Sequence, residues 1–100
     1  MKIDKRSHPR YPMKCDVILY CHSFGVISGN IRDLSRSGVF VTTKFANLAE
    51  NELIDICFSV PNEKTKSLHT VGAKVARVNK KGVGLHFINE MPQALYAALN

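Results

Sequence analysis

Leu53-Ile54-Asp55-Ile56-Cys57-Phe58-Ser59-Val60 alternates throughout. Ile54, Ile56, Phe58 and Val60 fall on one side, and Asp55, Cys57 and Ser59 fall on the other. Successive side chains of a strand point to opposite faces, so this period of two predicts a half-buried β-strand. The same period returns in Met13–Cys21, whose odd positions are Met, Cys, Val, Leu and Cys while Lys14 and Asp16 are charged. Val26–Asp33 predicts another strand, with Gly29 marking a bend or a close approach of backbone. Val39–Thr43 is short and rich in β-branched residues. Leu68–Val78 is long, and Gly72 suggests a bulge or bend within it. Val83–Ile88 places Val83, Leu85 and Phe87 on one side.

Turn chemistry separates these runs at His22–Gly25, Ser35–Gly38, Asn47–Asn51, Pro61–Lys66 and Asn79–Gly82, the last reading as a hairpin loop. Met91, Leu95, Ala98 and Leu99 follow a helical spacing, with Pro92 where a first helical turn tolerates it. The pattern predicts a mainly β fold: a small six-stranded antiparallel β-barrel with a short C-terminal helix. Closing the sheet removes its exposed edges. Residues 1–12 lie outside the pattern. Pro9 and Pro12 push His8 and Tyr11 towards extended conformations, so this segment is read as an extended N-terminal arm before a barrel unit over 13–100.

The chain has 100 residues, one domain's worth, with 45% hydrophobic and 22% charged residues, an ordinary globular mix. The longest uncharged stretch, Val17–Ile31, is too short to span a membrane as a helix, and MKIDKRSHPR carries no apolar export core. Three cysteines, Cys15, Cys21 and Cys57, are an odd number for a disulfide framework. The expectation is a cytoplasmic protein with reduced thiols and no membrane insertion. The net charge is +6, and it is uneven: residues 1–36 hold seven Lys/Arg against three acids. A basic N-terminal third favours anionic partners, although solubilising surface charge has the same composition.

Catalytic and metal patterns are lacking. His8, His22, His69 and His86 are scattered without ligand spacing, and there is no H-E-x-x-H, P-loop or G-x-G-x-x-G. No enzyme activity, metal or cofactor is expected. Two other elements carry more. Arg6 and Arg10 lie four apart in R-S-H-P-R. On an extended segment both point the same way, about 13 Å apart at strand rise. Such a pair can clamp a planar polyanion, because guanidinium forks onto phosphates or the guanine O6/N7 edge and stacks on rings. A solvated basic tail has the same sequence. The second element is Asp33-Leu34-Ser35-Arg36-Ser37-Gly38. Asp, Ser and Gly are ordinary turn residues, but together they also offer a carboxylate for guanine donors, a hydroxyl and a bare backbone.

In this order, R-x-x-x-R before the first strand and D-x-S-x-x-G after the second, the two elements resemble the PilZ domain, the bacterial receptor family for cyclic di-GMP. Val83-Gly84-Leu85-His86-Phe87 is similar to the family's closing strand. The resemblance covers the whole chain. It implies that Arg6 and Arg10 hold guanine and phosphate, Asp33 pairs with a guanine, Ser35 hydrogen-bonds nearby and Gly38 shapes the turn. Lys5 is a further candidate phosphate contact. It also implies an arm that is loose without ligand and wraps it when bound, with a separate effector protein reading the result. Lys5 leans the expectation towards a stacked pair of ligands. Two alternatives stand beside this: a PilZ-like interaction module that binds no nucleotide, and a small basic β-barrel that binds nucleic acid. The latter wants exposed stacking platforms, and the chain has only five Phe, three Tyr and no Trp, so no nucleic acid is expected.

Overall fold

Six strands form where the alternation places them: β1 Tyr11–Cys21, β2 Gly25–Leu34, β3 Gly38–Thr42, β4 Leu53–Ser59, β5 Leu68–Asn79 and β6 Gly82–Phe87. The structure, a computed structural model, describes residues 11–23, 25–44, 47–59, 68–89 and positions 92, 93 and 95. Arg6, Arg10 and Lys5 lie outside the described residues, as do Val60 and most of the expected terminal helix. Tyr11 and Pro12, read as the end of the arm, belong to β1.

The strands close into an antiparallel barrel in the order β1-β2-β3-β6-β5-β4. The inward face of each strand is the apolar set of its alternation. Val17 and Leu19 of β1, Ile56 and Phe58 of β4, and Val83 and Leu85 of β6 are all buried in one cluster. Burying each such side chain stabilises the fold by about 1.5–3 kcal/mol before chain entropy is counted. Leu95 joins the cluster and donates its N–H to the Pro92 carbonyl at 3.0 Å. Cys15 and Cys21 point inward as small hydrophobes, and all three cysteines are free. Burial pushes the Cys15 and Cys21 thiols up. The Asp16 charge adds to this at Cys15, and the Glu52 charge at Cys21.

The connections follow their residues. Asn79 Oδ1 accepts from the N–H groups of Lys81 and Gly82, at 2.8 and 3.1 Å, and tightens the β5–β6 hairpin to a two-residue turn. At Gly29 a Cβ would stand 2.7 Å from the Thr42 carbonyl oxygen, so the close approach expected there is present. The bulge expected at Gly72 is not: Gly72 pairs regularly with Asp55. The register shift of β5 falls between Val75 and Arg77 instead. Two more shifts occur, between Pro12 and Cys15 in β1 and between Ile31 and Asp33 in β2.

Candidate functional site

These three irregularities converge on one band of the outer surface. Across the barrel, Pro12 pairs with Asp33, Asp33 with Phe40, Phe40 with Gly84 and Gly84 with Arg77. The row crosses β1, β2, β3, β6 and β5, and from Asp33 to Arg77 spans three strand gaps, about 14 Å. A bulge bends its strand and re-aims a side chain, and bulges recur beside functional sites. Here the β2 bulge adds Arg32 next to Asp33, and the β5 bulge adds Ala76 next to Arg77.

Phe40 lies in this row. It is 1% exposed, yet its neighbours Val39 and Val41 are the ones that join the interior cluster. Its ring is covered from outside the barrel: the Arg32 guanidinium carbon stands 4.0 Å from the ring centroid. Arg32 Nε–H also donates to Asp33 Oδ2 at 3.0 Å. At Gly84, which pairs with Phe40, the Arg77 stem crosses the space a side chain would take, with Cγ 3.2 Å from where a Cβ would stand.

The motif residues divide by role. Asp33 holds its carboxylate at the outer surface, half-buried. Ser35 is 4% exposed and its hydroxyl is spent on the turn. It accepts from the Gly38 N–H at 3.2 Å and lies 3.3 Å from the Ser37 hydroxyl, while the Ser35 N–H reaches the Gly38 carbonyl at 2.8 Å. Gly38 has an ordinary φ, because among described glycines only Gly25 has a positive one. Its requirement is space: a Cβ there would run into the Leu85 carbonyl oxygen of β6. Ser35 and Gly38 therefore build the turn that follows Asp33.

Arg32 on the Asp33 carboxylate and Arg77 three strands along the row are both exposed, and with Arg36 in the adjoining turn they make this face net positive and suited to an anion that also carries hydrogen-bond donors. Arg32 and Arg77 were not singled out by their sequence pattern. Both flank bulges, which alternation alone does not reveal. A groove of about 1200 Å³ lies elsewhere on the barrel, and none of Arg32, Asp33, Ser35, Gly38 or Arg77 lines it. Among the described residues no three His, Cys, Asp or Glu side chains gather as a metal site, and no helix is long and apolar enough to cross a membrane.

A family profile described as the PilZ domain matches residues 4–100. The chain belongs to the PilZ domain family. PilZ domains are receptors for cyclic di-GMP that act with effector proteins, and the family is generally non-catalytic. Among solved structures, the Bacillus subtilis inhibitor of motility, MotI/DgrA, is similar with a TM-score of 0.72 and 19% identity over 97% of this chain. The match takes in 49% of the inhibitor, so this chain spans about half its length. The PilZ domain of CeSA from a cellulose-synthesizing bacterium is similar with a TM-score of 0.69 and 17% identity, over 90% of each chain. At these identities the likeness is one of fold. No curated protein matches the chain.

Proposed function

We propose that this chain is a non-catalytic cytoplasmic receptor that binds cyclic di-GMP and relays its presence to a partner protein. The observation that carries the reading is the Asp33 carboxylate held outward on a positively charged band by a turn that spends Ser35 and Gly38 on its own construction. A carboxylate accepts the N1–H and N2–H₂ donors of guanine, and the surrounding guanidiniums offset two ligand phosphates. In this reading Arg6 and Arg10 clamp guanine and phosphate from the N-terminal side, Lys5 adds a phosphate contact, and two stacked ligands occupy one chain. In this reading the partner recognises the surface that ligand and arm create together.

The test is a calorimetric titration of the full chain with cyclic di-GMP, with GTP and single-stranded DNA as controls. Saturable binding of cyclic di-GMP alone, near two per chain, is the expected result. Binding of DNA but not of cyclic di-GMP would replace the reading with that of a nucleic-acid binder. A stoichiometry near one would remove the stacked pair and leave the receptor.

A further inference from the structure

Ala73 and Val75 are buried, and strict alternation from them would send Arg77 inward as well. The register shift between Val75 and Arg77 turns it outward, so that Ala76 and Arg77 are both exposed. The Arg77 side chain then lies back across β6. Its Cγ, Nε and Cδ stand 3.2, 3.4 and 3.9 Å from where a Cβ of Gly84 would be, nearer than any atom of β3. Arg32 reaches in from the other side. It is rooted on β2, and its guanidinium carbon stands 4.0 Å from the centroid of the Phe40 ring on β3. Phe40 and Gly84 are paired, and the Cα atoms of such a pair lie about 4.5–5.5 Å apart. Two guanidiniums rooted on distant strands are thus brought over adjoining positions of one row. The Arg77 side chain makes no hydrogen bond or ion pair among the described residues, and Arg32 uses only its Nε–H, on Asp33.

We infer that Arg32 and Arg77 are the two sides of a phosphate-binding site on the barrel wall, which holds a phosphodiester of cyclic di-GMP. The inference rests on the receptor reading given above and does not use the Asp33 carboxylate. Like charges brought together repel, and the pair becomes favourable when an anion sits between them. A phosphodiester has two unesterified oxygens that share one charge, one oxygen for each guanidinium fork. Both forks are pre-organised: the Arg32 head lies on the Phe40 ring, and the Arg77 stem lies along the Gly84 backbone. Little side-chain freedom is then lost on binding, whereas a lysine would offer a point charge on a flexible stem. Gly84 has an ordinary φ, so what it contributes is the space for that stem.

The experiment titrates the full chain with cyclic di-GMP, with single-stranded DNA beside it. Arg77→Ala is expected to weaken cyclic di-GMP binding by about tenfold or more, the worth of one hydrogen bond to a charged group. Gly84→Val tests the same contact without changing the net charge. Its side chain displaces the Arg77 stem, so affinity should fall by a similar factor, and by almost nothing further when the chain already carries Arg77→Ala. The Arg32→Ala/Arg77→Ala double variant should lose less than the product of the single losses, because both sides close on one phosphate. The thermal midpoints of Arg77→Ala and Gly84→Val should stay near wild type. A loss below about threefold in Arg77→Ala overturns the inference and leaves the receptor reading intact. So does a full Gly84→Val loss in the Arg77→Ala background, or a double-variant loss equal to the full product. Weaker DNA binding with unchanged cyclic di-GMP binding in Arg77→Ala would make the pair a general polyanion face and also overturn it. A wild type that binds no cyclic di-GMP overturns the receptor reading and this inference with it.

Discussion

Replacing Gly38 by Ala separates the turn's role in the fold from any role in binding. At a strand residue with ordinary φ, Gly→Ala normally stabilises a protein by about 0.4–1 kcal/mol, because the unfolded chain loses freedom. Here the sign reverses. The new methyl would run into the Leu85 carbonyl oxygen, a backbone atom with no flexible end to swing aside. Relief requires β3 and β6 to part at the Gly38–His86 pair. The adjoining bond from the Phe87 N–H to the Ser37 carbonyl, 2.9 Å long, is the first to stretch, and the Ser35–Gly38 contacts follow. Overpacking costs about 1–3 kcal/mol, and each buried backbone bond left unmade about 1–3 kcal/mol more. Set against the unfolded-state gain, the net loss is about 2–4 kcal/mol. For a domain of this size that lowers the thermal midpoint by about 10–30 °C. The total stability of a small domain is about 5–15 kcal/mol, so the variant should still fold. Urea and thermal unfolding of the ligand-free chain measure this directly. Gly25→Ala is the control: its φ of 97° strains any side chain, but nothing lies within 4 Å of the added methyl, so it should cost only about 1–2 kcal/mol. A Gly38→Ala chain as stable as wild type would refute the close-approach argument and return Gly38 to a ligand-facing role.

Three further outcomes are expected. Arg6→Ala and Arg10→Ala should each weaken cyclic di-GMP binding by about 1–3 kcal/mol, roughly 5- to 150-fold by calorimetry; wild-type affinity in both would reduce the R-x-x-x-R element to a solvated tail. Asp33→Ala should weaken binding although it removes a negative charge, and should erode preference over cyclic di-AMP, whose adenine lacks the N1–H and N2–H₂ donors; tighter binding with unchanged preference would sink the assigned role. The buried Cys15 and Cys21 thiols have pKa values raised above 9.0, so the fold favours their neutral form. Their contribution to stability is full below about pH 9 and is lost as pH rises through the raised values. Urea midpoints at neutral pH and at about pH 10.5 should therefore show a smaller alkaline loss in the Cys15→Ala/Cys21→Ala double variant than in wild type, and an equal loss would contradict the burial argument.

The strands were legible because each buries one face on a single interior, which writes a period of two into the chain. Ile54, Ile56 and Phe58 point inward as their spacing predicts, and so do Val83, Leu85 and Phe87. The close approach at Gly29 was legible for a related reason, since a strand interior gives up a side chain only under constraint. The family, too, followed from two short motifs in order, and the profile over residues 4–100 agrees. Periodicity does not say where it will be interrupted. A strict alternation continued from Ile31 would send Asp33 inward and Leu34 outward. The bulge at Arg32 reverses both, leaving Leu34 fully buried and Asp33 at the surface.

What the chain determines by itself, then, is which residues can share an interior face, where the strands must turn, and which family it belongs to. These depend on neighbours within a few positions. The tertiary structure decided what depends on strands distant in the chain. Phe40 is buried on the outside of the barrel beneath Arg32 rather than in its core, because the Arg32 side chain from β2 covers its ring. Gly38 is a glycine because β6 passes too close for a side chain. The Ser35 hydroxyl closes its own turn. The row from Asp33 to Arg77 exists only once four strands are in register, because hydrogen-bonded pairing across a closed sheet, and not sequence spacing, sets which residues stand side by side.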